Sequence, residues 1–173
     1  MKIKSITLEK LLDIPELWDS LIINKRKPET YRIFTFIGGS RICLHRFAPA
    51  DETEAFWHPH PWPARFYLME GEYKLFLSTS KDRDSEYDKA YSVITMRPDS
   101  YYEMDNPLSW HKIVPTHTTY TIMINGVEWP EDMAHKAVRR TKGKDLERMS
   151  CSDIITHLRK FKELLKGSPH YAF

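Results

Sequence analysis

Cysteine is scarce in this chain. Only Cys43 and Cys151 occur in 173 residues, so no disulfide framework is available and reduced thiols in a cytosol are expected. Charge of one sign is also lacking. The formal net charge is +2, which gives no general pull towards nucleic acid. No run approaches the roughly 18 consecutive apolar residues of a membrane span. The first residues, Met1-Lys2-Ile3-Lys4-Ser5, lead into Glu9, Lys10 and Asp13 without an apolar stretch, so no signal peptide is read. Internal repeats and low-complexity tracts are absent too. What remains is an ordinary globular composition, 41% hydrophobic and 13% aromatic, at a length that suits one domain, 1–173, with a real core. A soluble, cytoplasmic protein without a membrane partner is expected.

Leu8, Leu11, Leu12, Leu17, Leu21 and Ile22 recur at near-helical spacing, which predicts a helical segment over 7–23 interrupted at Pro15. From Tyr31 the pattern turns to strands. Tyr31–Ile37 and Arg41–Phe47 flank the turn Gly38-Gly39-Ser40, and Phe66–Met69 and Tyr73–Leu77 flank Glu70-Gly71-Glu72, read as a second hairpin. Ser78–Lys89 is a charged loop. Tyr91–Met96, Tyr101–Met104, Trp110–Val114 and Thr118–Ile124 are further strands. Short, regularly spaced strands with turn signals predict a mainly β sandwich or barrel over about 31–130. Ser150-Cys151-Ser152-Asp153 reads as a helix N-cap, followed by a terminal helix over about 152–166 with its stripe of Ile154, Ile155, Leu158, Phe161, Leu164 and Leu165. The two helical stripes would cover open faces of the barrel or form a homodimer contact.

His58-Pro59-His60 carries the most chemistry. Side chains at i and i+2 share one face of an extended strand, and His111 on a later strand can complete a facial set of three imidazoles. Three neutral nitrogens with open positions suit a divalent metal, Fe(II), Zn, Mn, Ni or Cu.

In order with those histidines, Gly71, Pro98 and Trp110-His111-Lys112-Ile113 resemble the two motifs of the cupin superfamily, a double-stranded β-helix or jelly roll. The usual glutamate ligand of the first motif falls on Ala64, and Asp105-Asn106-Pro107-Leu108 looks inserted in the second. Three histidines without that glutamate resemble the cysteine dioxygenase type, which implies Fe(II), dioxygen chemistry on a thiol, and an arginine on an early strand that holds the substrate carboxylate. Arg32 stands where that arginine would be. The tyrosine that flanks the iron in that group would fall near Asn125, and the partner cysteine near Ala64 or Arg65, so this chain departs from the pattern at both. Leu44-His45-Arg46-Phe47, His58-Pro59-His60-Pro61-Trp62, Gly71-Glu72-Tyr73 and His111-Lys112-Ile113 are also similar to uncharacterised bacterial and phage cupin-like proteins.

Other residues add candidates. Glu103, and beside it Glu70, could supply a fourth metal ligand, against a reading as surface glutamates. Arg32 and Arg65 could clamp an anionic substrate, because guanidinium matches carboxylate and phosphate bidentately. Tyr101 and Tyr102 could donate a hydrogen bond near the metal, against a reading as barrel core and rim. His45, His117, His135, His157 and His170 lack a paired spacing and read as structural or surface residues. His45 differs in lying two residues from Cys43 on one strand face, and Cys43 itself reads as a buried core thiol. Lys136, Arg139, Arg140, Lys142 and Lys144 form a basic run without interleaved aromatics, a solvated linker in preference to a nucleic-acid surface. The sequence thus points to a metal-dependent cupin enzyme, an Fe(II) dioxygenase-like oxidoreductase acting on a small anionic substrate. The alternatives are a non-catalytic cupin that captures a small metabolite or signalling ligand, and a metal-assisted isomerase or hydrolase of a sugar or nucleotide derivative.

Overall fold

A computed structural model describes residues 5–24, 27–79, 92–130, 133 and 146–166. The charged segment Ser78–Lys89 falls largely outside these residues and the basic run Lys136–Lys144 wholly outside them. Helix α1 (Ser5–Leu12) and a 3-10 turn (Pro15–Leu17) lead into β1 (Asp19–Ile23) and β2 (Thr30–Ile37). There follow β3 (Ser40–Phe47), β4 (His58–Pro59), β5 (Ala64–Glu70), β6 (Tyr73–Ser78), β7 (Ser92–Met96), β8 (Tyr101–Met104), β9 (Trp110–Pro115), β10 (Thr119–Asn125) and helix α2 (Cys151–Lys166).

The strands form two sheets with orders β1-β2-β3-β10-β5-β8 and β4-β9-β6-β7. The last eight strands supply β3-β10-β5-β8 to one sheet and β4-β9-β6-β7 to the other, which is the order of a jelly roll, or double-stranded β-helix. The β1–β2 hairpin extends the edge of the larger sheet.

Much of the larger sheet is buried on both faces, and the period of two decides what each residue meets. Ile33, Ile42, Leu44, Tyr67, Met69 and Ile122 face outward and pack against Leu8 and Leu12 of α1 and Leu158, Phe161 and Leu165 of α2. Each such buried aliphatic or aromatic side chain contributes about 1.5–3 kcal/mol. Leu158, Phe161 and Leu165 lie on one side of α2 at helical spacing. Its first turn is capped by Ser150, whose Oγ accepts from the Asp153 N–H at 3.2 Å. The terminal helices therefore cover one face of the barrel. The alternate residues Cys43, Phe66, Leu68 and Met123 point inward between the sheets.

Two local expectations are corrected. Residues 19–23 are a strand, not the end of a helix, because they pair with β2 from Asp19↔Phe34 to Ile23↔Thr30. Ser20-Leu21-Ile22-Ile23 ends on β-branched residues, which fit a pleated surface, and pairing overrides the helical spacing of the leucines. The second correction concerns Glu70-Gly71-Glu72. β5 pairs with β10 and β8, whereas β6 pairs with β7 and β9. That segment is the corner where the chain leaves one sheet for the other. Gly38 and Gly39, by contrast, do close a two-residue hairpin, with φ of 54° and 81° and Ile37 opposite Ser40.

Gly71 has φ of 91°, and a Cβ there would meet the Thr118 carbonyl oxygen at 2.6 Å and Thr119 Cα at 2.9 Å. Gly38 also has positive φ, yet a Cβ on it meets nothing within 4 Å. Gly71→Ala should therefore cost about 3 kcal/mol in urea unfolding, from backbone strain plus the clash, and Gly38→Ala about 1 kcal/mol from strain alone. Equal losses at the two positions would contradict this account of the corner.

Candidate metal centre

Three imidazoles meet on the inner face of the smaller sheet. β4 is its edge strand, a place where Pro59 can do without a ladder hydrogen bond. Pairing of β4 with β9 puts His58 directly opposite His111, and His60 follows two residues on. His111 Nε2 lies 2.7 Å from His58 Nε2 and 3.0 Å from His60 Nε2. The three ring planes stand at 64°, 65° and 70° to one another, like the walls of a corner. The three ligand atoms all lie within 4.8 Å of one another.

The outer nitrogens of two of these rings are held from behind. His111 Nδ1 lies 2.8 Å from the Tyr102 hydroxyl, and His58 Nδ1 lies 3.5 Å from the Phe56 carbonyl. Tyr102 is hydrogen-bonded in turn to Tyr73. A Tyr102 hydroxyl that donates to Tyr73 accepts from His111 Nδ1–H, and this tautomer leaves the lone pair of His111 on Nε2. Burial, reinforced by the neighbouring imidazoles, holds His60 and His111 well below the usual histidine range, so both rings are neutral at pH 7.

This donor set fits a divalent cation. Neutral lone pairs aimed at one point repel unless a proton or a cation lies between them. Metal–nitrogen distances of about 2.1 Å at right angles set two donors about 3.0 Å apart, which the spacing of these rings approaches. Hydrogen bonds to the far nitrogens are the usual support for ligating histidines.

The histidines line one side of a small cavity, about 70 Å³, between the sheets. Opposite them, Arg32, His45 and Thr121 occupy neighbouring positions on β2, β3 and β10 of the larger sheet, in register. Arg32 Nε donates to His45 Nε2 at 2.8 Å, and His45 Nδ1 lies 3.4 Å from Thr121 Oγ1. Burial, and secondarily the charge of Arg32, lowers His45 well below the histidine range, so its Nε2 keeps the lone pair that accepts. Phe47, Phe66, Ile113 and Met123 make up much of the remaining wall, and among the described residues no aspartate or glutamate lines it.

The residues predicted from sequence divide by strand face. Tyr102 and Arg32 reach the cavity, Tyr102 from behind His111. Its neighbour Tyr101 points to the outer side and is 61% exposed. Arg65 and Glu103 are cross-strand partners there, ion-paired and with side chains 45% and 40% exposed. Arg65 also donates to Tyr67. Tyr101, Arg65 and Glu103 thus stand apart from the three histidines, because each lies one residue out of phase with an inward neighbour. Glu70 pairs with Lys160 of α2 at 2.7 Å. Cys43 is buried, and burial raises its thiol pKa, as befits a core residue. Asn125 is buried at the end of β10. His157 packs on Tyr31, and His117 lies beside Thr116 in the loop between β9 and β10. His135 and His170 lie outside the described residues.

Sequence reasoning passed over Tyr73 and the role of His45. The second was within reach. A two-residue turn at Gly38–Gly39 fixes Ile37 opposite Ser40, and the same ladder places Arg32 opposite His45.

No protein-family model and no curated protein matches the sequence. Solved structures do share the fold. An Fe(II)-HppE with alternative substrate (S)-1-HPP superposes with a TM-score of 0.52 at 9% identity, over 65% of this chain and 57% of that one. Hydroxypropylphosphonic acid epoxidase from S. wedmorenis gives 0.51 at 9% identity, over 65% and 56%. A cupin superfamily protein from Desulfitobacterium hafniense gives 0.45 at 12% identity, over 61% and 84%. The chain shares its jelly-roll fold with the first two. The matched part spans little more than half the length of the first two proteins.

Removal of His60 by an alanine substitution should abolish stoichiometric binding of a divalent metal by the refolded apoprotein. Tyr102→Phe should weaken it roughly tenfold by releasing His111, as supporting hydrogen bonds generally do. Glu103→Gln should leave it unchanged within about twofold, since its carboxylate faces away. Competition with a fluorescent chelator reads all three, and equal losses in the Glu103 and His60 variants would contradict the assignment.

Proposed function

We propose that this chain is a mononuclear, metal-dependent oxidoreductase of the dioxygenase-like kind, with Fe(II) at His58, His60 and His111 and a small anionic substrate held by Arg32. The observation that carries the reading is the opposition of three converging imidazole nitrogens to a guanidinium with no carboxylate partner among the described residues, across one small cavity. The fold shared with an Fe(II)-bound enzyme, and with one named for hydroxypropylphosphonic acid, supports iron and a small acid.

A bound Fe(II) would supply redox chemistry with dioxygen, which no side chain in this wall can provide. The chain's own contributions are positional. Arg32 would orient the anionic group, because its planar fork matches carboxylate or phosphonate. The small volume of the cavity, about 70 Å³, favours a compact acid. Phe47, Phe66 and Ile113 keep the interior apolar and strengthen charge pairing inside it. Tyr102 would hold the proton on His111 Nδ1 and so keep Nε2 available.

The decisive experiment is anaerobic loading of the apoprotein with Fe(II), then oxygen-electrode measurement with a panel of small thiols, carboxylates and phosphonates. Iron-dependent uptake with at least one acid is expected. Arg32→Met should reduce that uptake by at least tenfold at subsaturating substrate while iron content stays near stoichiometric. Full iron loading without uptake on any member of the panel would count against an oxidative role.

A further inference from the structure

Arg32 and His45 present an unusual partnership. A guanidinium facing a protein interior is normally matched by a carboxylate, since an unpaired buried charge is costly. Here the partner is a neutral imidazole. Arg32 Nε donates to His45 Nε2 at 2.8 Å, and no carboxylate among the described residues pairs with Arg32. His45 is 2% exposed and fixed between neighbouring strands, with Arg32 opposite it on one side and Thr121 on the other. The nearby Arg41 adds positive charge, and its guanidinium lies over the ring of Phe34 at 4.2 Å.

We propose that His45 is a positioning residue for anion capture: it orients the Arg32 guanidinium by its Nε without cancelling the charge. Asp or Glu at this position could make a stronger hydrogen bond to Arg32 and would neutralise it. A neutral acceptor gives the direction and leaves the charge to a ligand. His45 thereby selects for anions over neutral or cationic molecules of the same size. The inference rests on the anionic-substrate part of the proposed function and is independent of the metal.

The test uses metal-free protein and inorganic phosphate as the probe. Arginine Nε–H resonances are followed by ¹⁵N NMR, with Arg32 identified by the signal lost in Arg32→Met. In wild type the Arg32 Nε–H should be protected from exchange and should shift saturably with phosphate. His45→Gln, whose amide oxygen can accept in place of Nε2, should bind phosphate within about threefold of wild type. His45→Leu should bind at least tenfold more weakly. His45→Glu should also bind at least tenfold more weakly while its Arg32 Nε–H stays protected, a pattern that a merely structural role for His45 does not produce. Wild-type affinity in His45→Glu, or no saturable shift in wild type, would overturn the proposal. If the pattern holds but the protein fails to load Fe(II), the oxidative reading falls and the role of His45 stands. If iron loads and turns over substrate but His45→Glu binds phosphate normally, the converse is true.

Discussion

The interior of this protein depends on a two-residue strand. β4 pairs with β9 only at His58↔His111 and Pro59↔Trp110, yet that pairing brings imidazoles from distant parts of the sequence within 3 Å of each other. Buried imidazoles with facing lone pairs do not stabilise a barrel by themselves. They are tolerated where a cation draws them together, and where the rest of the fold holds them in place. The support comes from behind, through the Tyr73–Tyr102–His111 chain, and from below, through a sheet whose other strands are packed with apolar residues. An arrangement that costs stability and leaves nitrogens converging on one point is expected of a functional site, not of a core.

The second organising constraint is the alternation of the larger sheet. Because helices cover one face and the barrel interior the other, every residue on its inner strands has a defined side. One residue separates Tyr102, which supports a histidine, from Tyr101, which faces outward. The same step separates Phe66, stacked on Tyr102 at 4.6 Å, from Arg65. Arg32, His45 and Thr121 share the inward phase and form a polar strip opposite the histidines. The cavity is thus polarised by construction, with cationic and metal-competent groups and, among the described residues, no acid to balance them.

Much of this was legible in the sequence. The His-x-His spacing gave one strand face, the regularly spaced short strands gave a sandwich or barrel that the motif resemblance narrowed to a jelly roll, and the Ser150 cap with its apolar stripe gave α2. What was not legible depended on phase or on tertiary pairing. Tyr101, Tyr102, Arg65 and Glu103 are chemically plausible alike, and only the pairing of β8 with β5 decides that Tyr102 alone of the four faces in. Leu21 and Ile22 continue the helical spacing of the earlier leucines, and only the docking of β1 on β2 makes them part of a strand. Gly71 looked like a hairpin because a glycine turn between two strands does not say whether they pair with each other. His45 was obscured by its isolation in sequence, although the glycine turn before it sets its register against Arg32.

The central claim is that three imidazoles and no carboxylate from this chain hold a divalent metal, and X-ray absorption of the Fe(II)-loaded protein tests it most directly. The account predicts three nitrogen scatterers at about 2.1 Å with the outer-shell pattern of imidazole rings, and loss of that shell in His60→Ala, which no longer holds the metal stoichiometrically. A first shell without imidazole scattering, or one unchanged by loss of His60, would contradict it.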